Sequence, residues 1–282
     1  MLYHHQEVPC LPIIVISKKH LLLALGLLAL LGVGLVLFFT LGPGFPEKKA
    51  APAMAVVEEY ELNVLPLKAR SLPVYGVKRE DKKIALTIDA AWDADKTPFI
   101  LDTLDTYHIK ATFFLCGVWV NAYPDYVKEI AQRGHEIGNH SLSHPHMSKL
   151  SPSEIKKELI DLDDTIEELT GKRCTLFRPP FGEYNNTVID TVREAGYEVI
   201  QWTRDTVDWK KERSAQTILD GVLPKLQSGD IILSHNNGYK IETYLPILIE
   251  TCQKNGYTFV TVSELLLEGE TGIDGNGIQY GK

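Results

Sequence analysis

Ile84-Ala85-Leu86-Thr87-Ile88-Asp89 is a strand-length apolar run that ends on a carboxylate. Unbroken apolar character suits a strand buried on both faces, and such strands belong to parallel sheets covered by helices. Working outward, residues 98–108 read as a helix, 111–116 as the next strand and 124–133 as the next helix. Residues 135–139 form a short strand. Ser151-Pro152-Ser153-Glu154 is a capping box with proline at the first helical position. Behind it Ile155, Leu159, Leu162, Ile166 and Leu169 recur on one face of a helix that ends near Gly171. Helix then strand follows at 188–195 and 198–202, at 217–226 and 230–235, and at 244–255 and 258–262. Repeated βα units predict an α/β fold with a mostly parallel sheet. The pattern alone does not choose between a barrel and an open doubly wound sheet.

The rest of the chain carries other signals. Residues 21–41 hold no charged side chain and are rich in Leu, Gly and Val. Their length suits a bilayer core, which takes about 20 residues. A soluble helix of that length would show a polar face. A cleaved signal peptide would have an apolar region of only about 7–15 residues. Ala51-Pro52-Ala53 and Ala53-Met54-Ala55 resemble cleavage sites but lie well beyond the run. The reading is therefore a short cytoplasmic tail (1–20), an uncleaved transmembrane helix (21–41), a linker or stalk (42–81), a domain (82–267) and a flexible Gly-rich tail (268–282). Lys18 and Lys19 before the span are balanced in number by Lys48 and Lys49 after it, and the closeness of the first pair favours the N-terminus inside.

Net charge is −8, with no Lys/Arg stripe, which argues against a nucleic-acid partner. The cysteines Cys10, Cys116, Cys174 and Cys252 fit neither a zinc knuckle nor a redox pair. Nothing favours a Cys174–Cys252 disulfide. Asn185-Asn186-Thr187 matches a glycosylation sequon but reads as a loop cap before a helix.

Polar clusters stand where strand-like runs give way to loops, the place where α/β folds gather catalytic groups. Asp89 at a strand end is a general base or metal ligand, or else a cap. His140 and His144 form an H-x-x-x-H pair, and neutral imidazoles bind zinc and similar ions. Pro145 disfavours an α conformation at His144, so the pair sits on a turn where both rings can converge. His146 is either a third ligand or a solvated loop histidine. Arg178 in the proline-braced Arg178-Pro179-Pro180-Phe181-Gly182 either grips a carboxylate or makes a surface ion pair. Asp208 stands beside Trp209, in Asp205-Thr206-Val207-Asp208-Trp209. His235 ends Asp230-Ile231-Ile232-Leu233-Ser234-His235, either at a strand mouth or as a core residue.

In this order, these motifs resemble the polysaccharide deacetylase family, also called the NodB-homology or carbohydrate esterase family four domain. The similarity covers about 82–267. It implies a distorted (β/α) barrel, often seven-stranded, and metal-dependent removal of acetyl groups from N-acetylated sugars, mostly of peptidoglycan or chitin. Carried over, Asp89 resembles the catalytic base, and His140 and His144 the metal ligands. Arg178 would orient Asp89, and the Phe181 backbone N–H would help hold the oxyanion. Asp208 would tune His235, the general acid. Trp209 and Leu233 would line the slot for the acetyl methyl. The metal implied is divalent, zinc first, with cobalt or nickel as alternatives. The substrate implied is cell-wall glycan, which places the domain outside the cell membrane.

One departure stands out. The family's first motif usually carries two adjacent aspartates, the second binding metal. Here Ala90-Ala91-Trp92 follows Asp89. Asp93, Asp95 or Asp89 itself would have to supply the third ligand, or two histidines and waters hold the ion alone.

Overall fold

The computed structural model describes residues 70–282. The transmembrane reading of 21–41 and the expected cytoplasmic tail lie outside the described residues. Among the described residues no helix is long and apolar enough to cross a membrane.

The strands are β1 (Gly76–Val77), β2 (Lys83–Ala90), β3 (Thr112–Leu115), β4 (Glu136–Asn139), β5 (Leu176–Phe177) and β6 (Glu198–Val199). They continue with β7 (Arg204–Asp205), β8 (Ile231–His235), β9 (Thr258–Val260), β10 (Thr271–Ile273) and β11 (Ile278–Gly281). The helices are α1 (Thr97–Thr106), α2 (Gly117–Ala122), α3 (Pro124–Gln132), α4 (Pro152–Thr170), α5 (Asn186–Glu194), α6 (Ala215–Val222), α7 (Ile241–Lys254) and α8 (Val262–Leu265).

Seven strands run along one path, β6-β5-β4-β3-β2-β8-β7, with β9 added beside β2. Every pairing in this sheet is parallel. The sheet curls into a half-barrel of seven parallel strands, where the family resemblance implied a distorted (β/α) barrel. The end strands β6 and β7 are short, and the N-terminal segment lies between their neighbours. Val74 bridges to Ile200 and Gly76 to Asp230.

Side-chain alternation divides β2 between two cores. Ile84, Leu86, Ile88 and Ala90 join the larger cluster, packed with helix residues such as Ile100, Leu159 and Leu245. Ala85 joins the smaller cluster with Phe114, Leu176, Ile200 and Ile231. Thr87 and Asp89 share the Ala85 side, inside the curl. The same rule puts Phe113 and Leu115 of β3 in the larger cluster and Phe114 in the smaller one.

The capping signals behave as read. Ser151 accepts from the Glu154 N–H, Glu154 completes the box, and Gly171 ends α4 in the left-handed region at φ 73°. Asn185 caps α5 by accepting from the Val188 N–H at 2.9 Å. Cys116, Cys174 and Cys252 are free and buried, and burial raises their thiol pKa values.

Two segments differ from expectation. Residues 71–81, read as part of a linker, include Val74 and Val77, both buried in the smaller core. Residues 271–281, read as a mobile tail, form the hairpin β10–β11, and β1 pairs alongside β11. Backbone pairing holds this tail despite its few apolar side chains. The buried Gln279 accepts the Leu267 N–H at 2.8 Å.

Gly229 shows how closely the N-terminal segment is seated. Its φ is 84°, and a Cβ there would stand 1.6 Å from the Val77 carbonyl oxygen. Gly229→Ala is expected to cost on the order of 3 kcal/mol through backbone strain and overpacking. A urea midpoint unchanged from wild type would contradict this packing.

Candidate active site

The chemistry-bearing residues meet at the C-terminal ends of the parallel strands. Asp89 lies near the end of β2 and His235 ends β8, and the two are register partners on adjacent strands. His140 directly follows β4, Arg178 directly follows β5, and Asp208 lies just beyond β7. They surround a cleft of about 570 Å³ lined by Asp89, His140, His144, Phe181, Trp209, Leu233 and His235, among others.

Arg178 is fully buried beneath the cleft. Its Nη1 donates to Asp89 Oδ1 at 2.7 Å and to Thr87 Oγ1 at 2.8 Å. Its Nη2 donates to the Gln201 carbonyl at 3.0 Å. The guanidinium lies 4.1 Å from the centre of the Phe114 ring. Burial lowers the Arg178 pKa, and the Asp89 charge acts against that. The pair fixes Asp89 with one oxygen bound and Oδ2 turned toward His140, 3.8 Å from its Nε2.

His140 is nearly buried, and its Nδ1 lies 2.7 Å from the Arg178 carbonyl oxygen. A carbonyl only accepts, so Nδ1 carries the hydrogen and neutral Nε2 presents a lone pair. Burial lowers the His140 pKa. Burial and the neighbouring His140 push His144 down to about 4. Both rings are therefore neutral at pH 7, the form that binds metal. Their centroids stand 5.0 Å apart.

Two imidazoles so presented fit a divalent ion of the zinc type. They are fewer than the three or so protein ligands usual in catalytic zinc sites. Among the described residues no three His, Cys, Asp or Glu side chains stand close enough to enclose an ion. Two candidates for the third ligand, Asp93 and Asp95, line a separate hollow with Tyr123 and Tyr126. The loop turns them away because Asn236 Nδ2 donates to the Trp92 and Asp93 carbonyls, at 3.1 and 2.6 Å. His146 pairs instead with Glu183, Nδ1 to Oε2 at 2.6 Å, and stacks on Phe181. Asp89 is the carboxylate left beside the histidines. Ala90 packs in the helix-facing core, one position out of phase with Asp89.

On the other side of Asp89 stands the pair of His235 and Asp208. His235 Nδ1 lies 2.7 Å from Asp208 Oδ1, and the His235 backbone N–H donates to Oδ2 at 3.0 Å. Tyr244 Oη also donates to Oδ2, at 2.7 Å. Asp208 is fully buried. Burial alone would raise its carboxyl, but the His235 and Tyr244 hydrogen bonds hold it below the usual range. Burial alone would lower His235, but the Asp208 hydrogen bond and charge outweigh it and hold the ring above its usual value. His235 is thus an acid that keeps its proton to higher pH, with Nε2 left for the cleft.

Phe181 is exposed at the rim with φ 60°, the left-handed region, which is uncommon for a bulky residue. Its ring makes a T-shaped contact with His144 and stacks on His146, with ring centroids 4.6 Å apart in both pairs. Sequence reasoning missed Thr87 and Gln201 beneath Arg178, Tyr244 beneath Asp208, and Asn236 behind the Trp92 loop. Each acts through a hydrogen bond to a distant segment, which leaves no local pattern. Only Asn236, next to His235, carried any signal.

A polysaccharide deacetylase family model matches residues 76–200. A peptidoglycan-N-acetylglucosamine deacetylase of Bacillus cereus is 37% identical over 197 residues, which cover 68% of this chain and 92% of that protein. Protein YlxY of Bacillus subtilis is 37% identical over 196 residues, covering 70% of this chain but only 61% of that protein. In three dimensions the chain resembles BA3943 of Bacillus anthracis, a carbohydrate esterase family 4 pseudoenzyme. There the TM-score is 0.65 and identity 34%, over 68% of each chain. A mutant of that pseudoenzyme with restored enzymatic activity matches with the same TM-score of 0.65. By sequence and by fold together, this chain belongs to the polysaccharide deacetylase family, the NodB-homology group of carbohydrate esterase family 4.

Proposed function

We propose that this chain is a metal-dependent N-deacetylase that removes acetyl groups from N-acetylated amino sugars of cell-wall glycan. The 21–41 segment would anchor it in the cell membrane in a single pass, with the catalytic domain outside. The observation that carries the reading is the placement of Asp89 and His235 on adjacent strands facing one cleft, each backed by a buried ionic partner. The named activity of the Bacillus cereus relative, most of whose length this chain spans, supports the substrate class.

Amide hydrolysis needs a base for water, a donor for the oxyanion and an acid for the departing amine. Asp89, held by Arg178, takes the proton of the attacking water. The Phe181 N–H donates to the developing oxyanion. As the C–N bond breaks, His235 Nε2–H protonates the amine, and Asp208 stabilises the imidazolium that donates. Trp209 and Leu233 line the cleft, where the acetyl methyl is held. His140 and His144 would hold a zinc-like ion, which supplies polarisation of the amide carbonyl and acidification of water.

The mechanism sets a pH signature. His235 is active protonated, so kcat/KM falls as pH rises through its raised pKa. Asp208→Asn removes the influence that raises it. The alkaline limb of the profile is expected to move to lower pH, while an unmoved limb would remove His235 as the acid.

A second reading is favoured by Ala90 and by the pseudoenzyme relative: glycan binding without turnover. Digested peptidoglycan separates the two. After incubation with the full chain and added zinc or cobalt, mass spectrometry of the muropeptides should find de-N-acetylated sugars. Glycan bound but unaltered would favour the second reading.

A further inference from the structure

We propose that Asp205 selects which N-acetylated sugar the cleft accepts: its carboxylate receives the free C3 hydroxyl of N-acetylglucosamine and repels the lactyl carboxylate that N-acetylmuramic acid carries there. This deepens the glycan deacetylase reading and rests on it. The two sugars differ only at the C3 oxygen. The N-acetyl group stands on C2, the adjoining carbon. Whatever the C3 oxygen carries therefore enters the cleft beside the acyl group.

Asp205 is placed to meet that substituent. It is the register partner of Leu233 on the adjacent strand, and both residues line the cleft. Paired residues on neighbouring strands lie about 4.8 Å apart and present their side chains to one face of the sheet. On its other side Leu233 pairs with Thr87, just as His235 pairs with Asp89 one step along the same face. The row Thr87, Leu233, Asp205 thus runs behind the row Asp89, His235. Asp205 flanks Leu233, the wall of the acyl slot, on the side away from Thr87.

The backbone is bent to hold this carboxylate. Val207 lies at φ 52°, an outlier for a β-branched residue of the kind found at functional sites. Its N–H donates to Asp205 Oδ1 at 2.7 Å. Thr206 Oγ1 anchors the same turn on the Leu233 carbonyl at 2.8 Å. Burial pushes the Asp205 pKa up, and the Val207 N–H, the His235 charge and a Trp202 hydrogen bond act against that.

The charges around the cleft give the selection its sign. Asp89 pairs with Arg178 and Asp208 with His235, while Asp205 makes no ion pair among the described residues. Among the described residues no lysine or arginine lines the cleft. A hydroxyl on C3 therefore finds an acceptor. A lactyl ether has no hydrogen to donate there, and its carboxylate meets a like charge with no lysine or arginine to receive it.

Calorimetric titration of the full chain in detergent tests this without requiring turnover. The ligands are N-acetylglucosamine, N-acetylmuramic acid and the methyl ester of the latter. Wild type is expected to bind N-acetylglucosamine at least about tenfold more tightly than N-acetylmuramic acid, with the uncharged ester between them. Asp205→Asn keeps an oxygen for the Val207 N–H and loses the charge. It should tighten N-acetylmuramic acid about tenfold and change the ester by less than about twofold. Added salt should narrow the gap in wild type more than in the variant. Equal wild-type affinity for the two sugars would overturn the proposal and leave the deacetylase reading standing. An Asp205→Asn variant with the wild-type preference would overturn it too. An ester rejected as firmly as the acid would overturn it by assigning the selection to bulk. Binding of neither sugar by wild type would overturn both this inference and the glycan reading beneath it.

Discussion

Arg178→Met is expected to destabilise the domain by about 3–5 kcal/mol, the usual cost of leaving one member of a buried ion pair without its partner. Asp89 is 6% exposed and would be left with no cation beside it. Thr87 Oγ1 and the Gln201 carbonyl would lose the same donor. Urea unfolding measures the loss. Adding Asp89→Asn should recover part of the stability, since the stranded carboxylate is then gone, and none of the activity. A single variant as stable as wild type would show that Arg178 does not carry the buried centre.

The second large effect falls on chemistry alone. His235→Ala is expected to lower kcat/KM for an N-acetylated glycan by about 10²–10⁴, the usual share of a general acid. The loss should appear in kcat with KM little changed. A substrate with a good leaving group separates catalysis from structure. An aryl acetate expels phenolate without protonation, so the same variant should lose much less activity toward it. Equal losses on both substrates would make His235 a structural residue.

Legibility in the sequence followed the range of the interactions. β2 and β8 were plain because their apolar runs are buried in the sheet interior. α4 was plain because its cap, its stripe and its terminal glycine agree. The two-residue strands β5 and β7 were missed, since a pair of residues has no period. α2 was missed because Gly117 to Ala122 lacks a polar face and a capping side chain. The β10–β11 hairpin was missed because backbone pairing builds it.

The site divides in the same way. Asp89, Arg178, Asp208 and His235 stand at strand ends, and strand order alone brings them to one rim. His146 is the exposed loop histidine, paired with Glu183, and Asp93 and Asp95 line a hollow separate from the cleft. Their directions depend on Glu183, Asn236 and Trp119, which meet them only in three dimensions. Ala90 was legible as a departure. The structure adds that its side chain lies in the helix-facing core and that no carboxylate from the Trp92 loop replaces the missing one in the cleft.

The most direct test is acetate release by the purified full chain from N-acetylglucosamine oligomers, with zinc, cobalt or nickel added in turn. Wild type should release acetate with at least one of these ions, and His140→Ala/His144→Ala should release none. Wild type inert with every ion, or the double variant as active as wild type, would contradict the account.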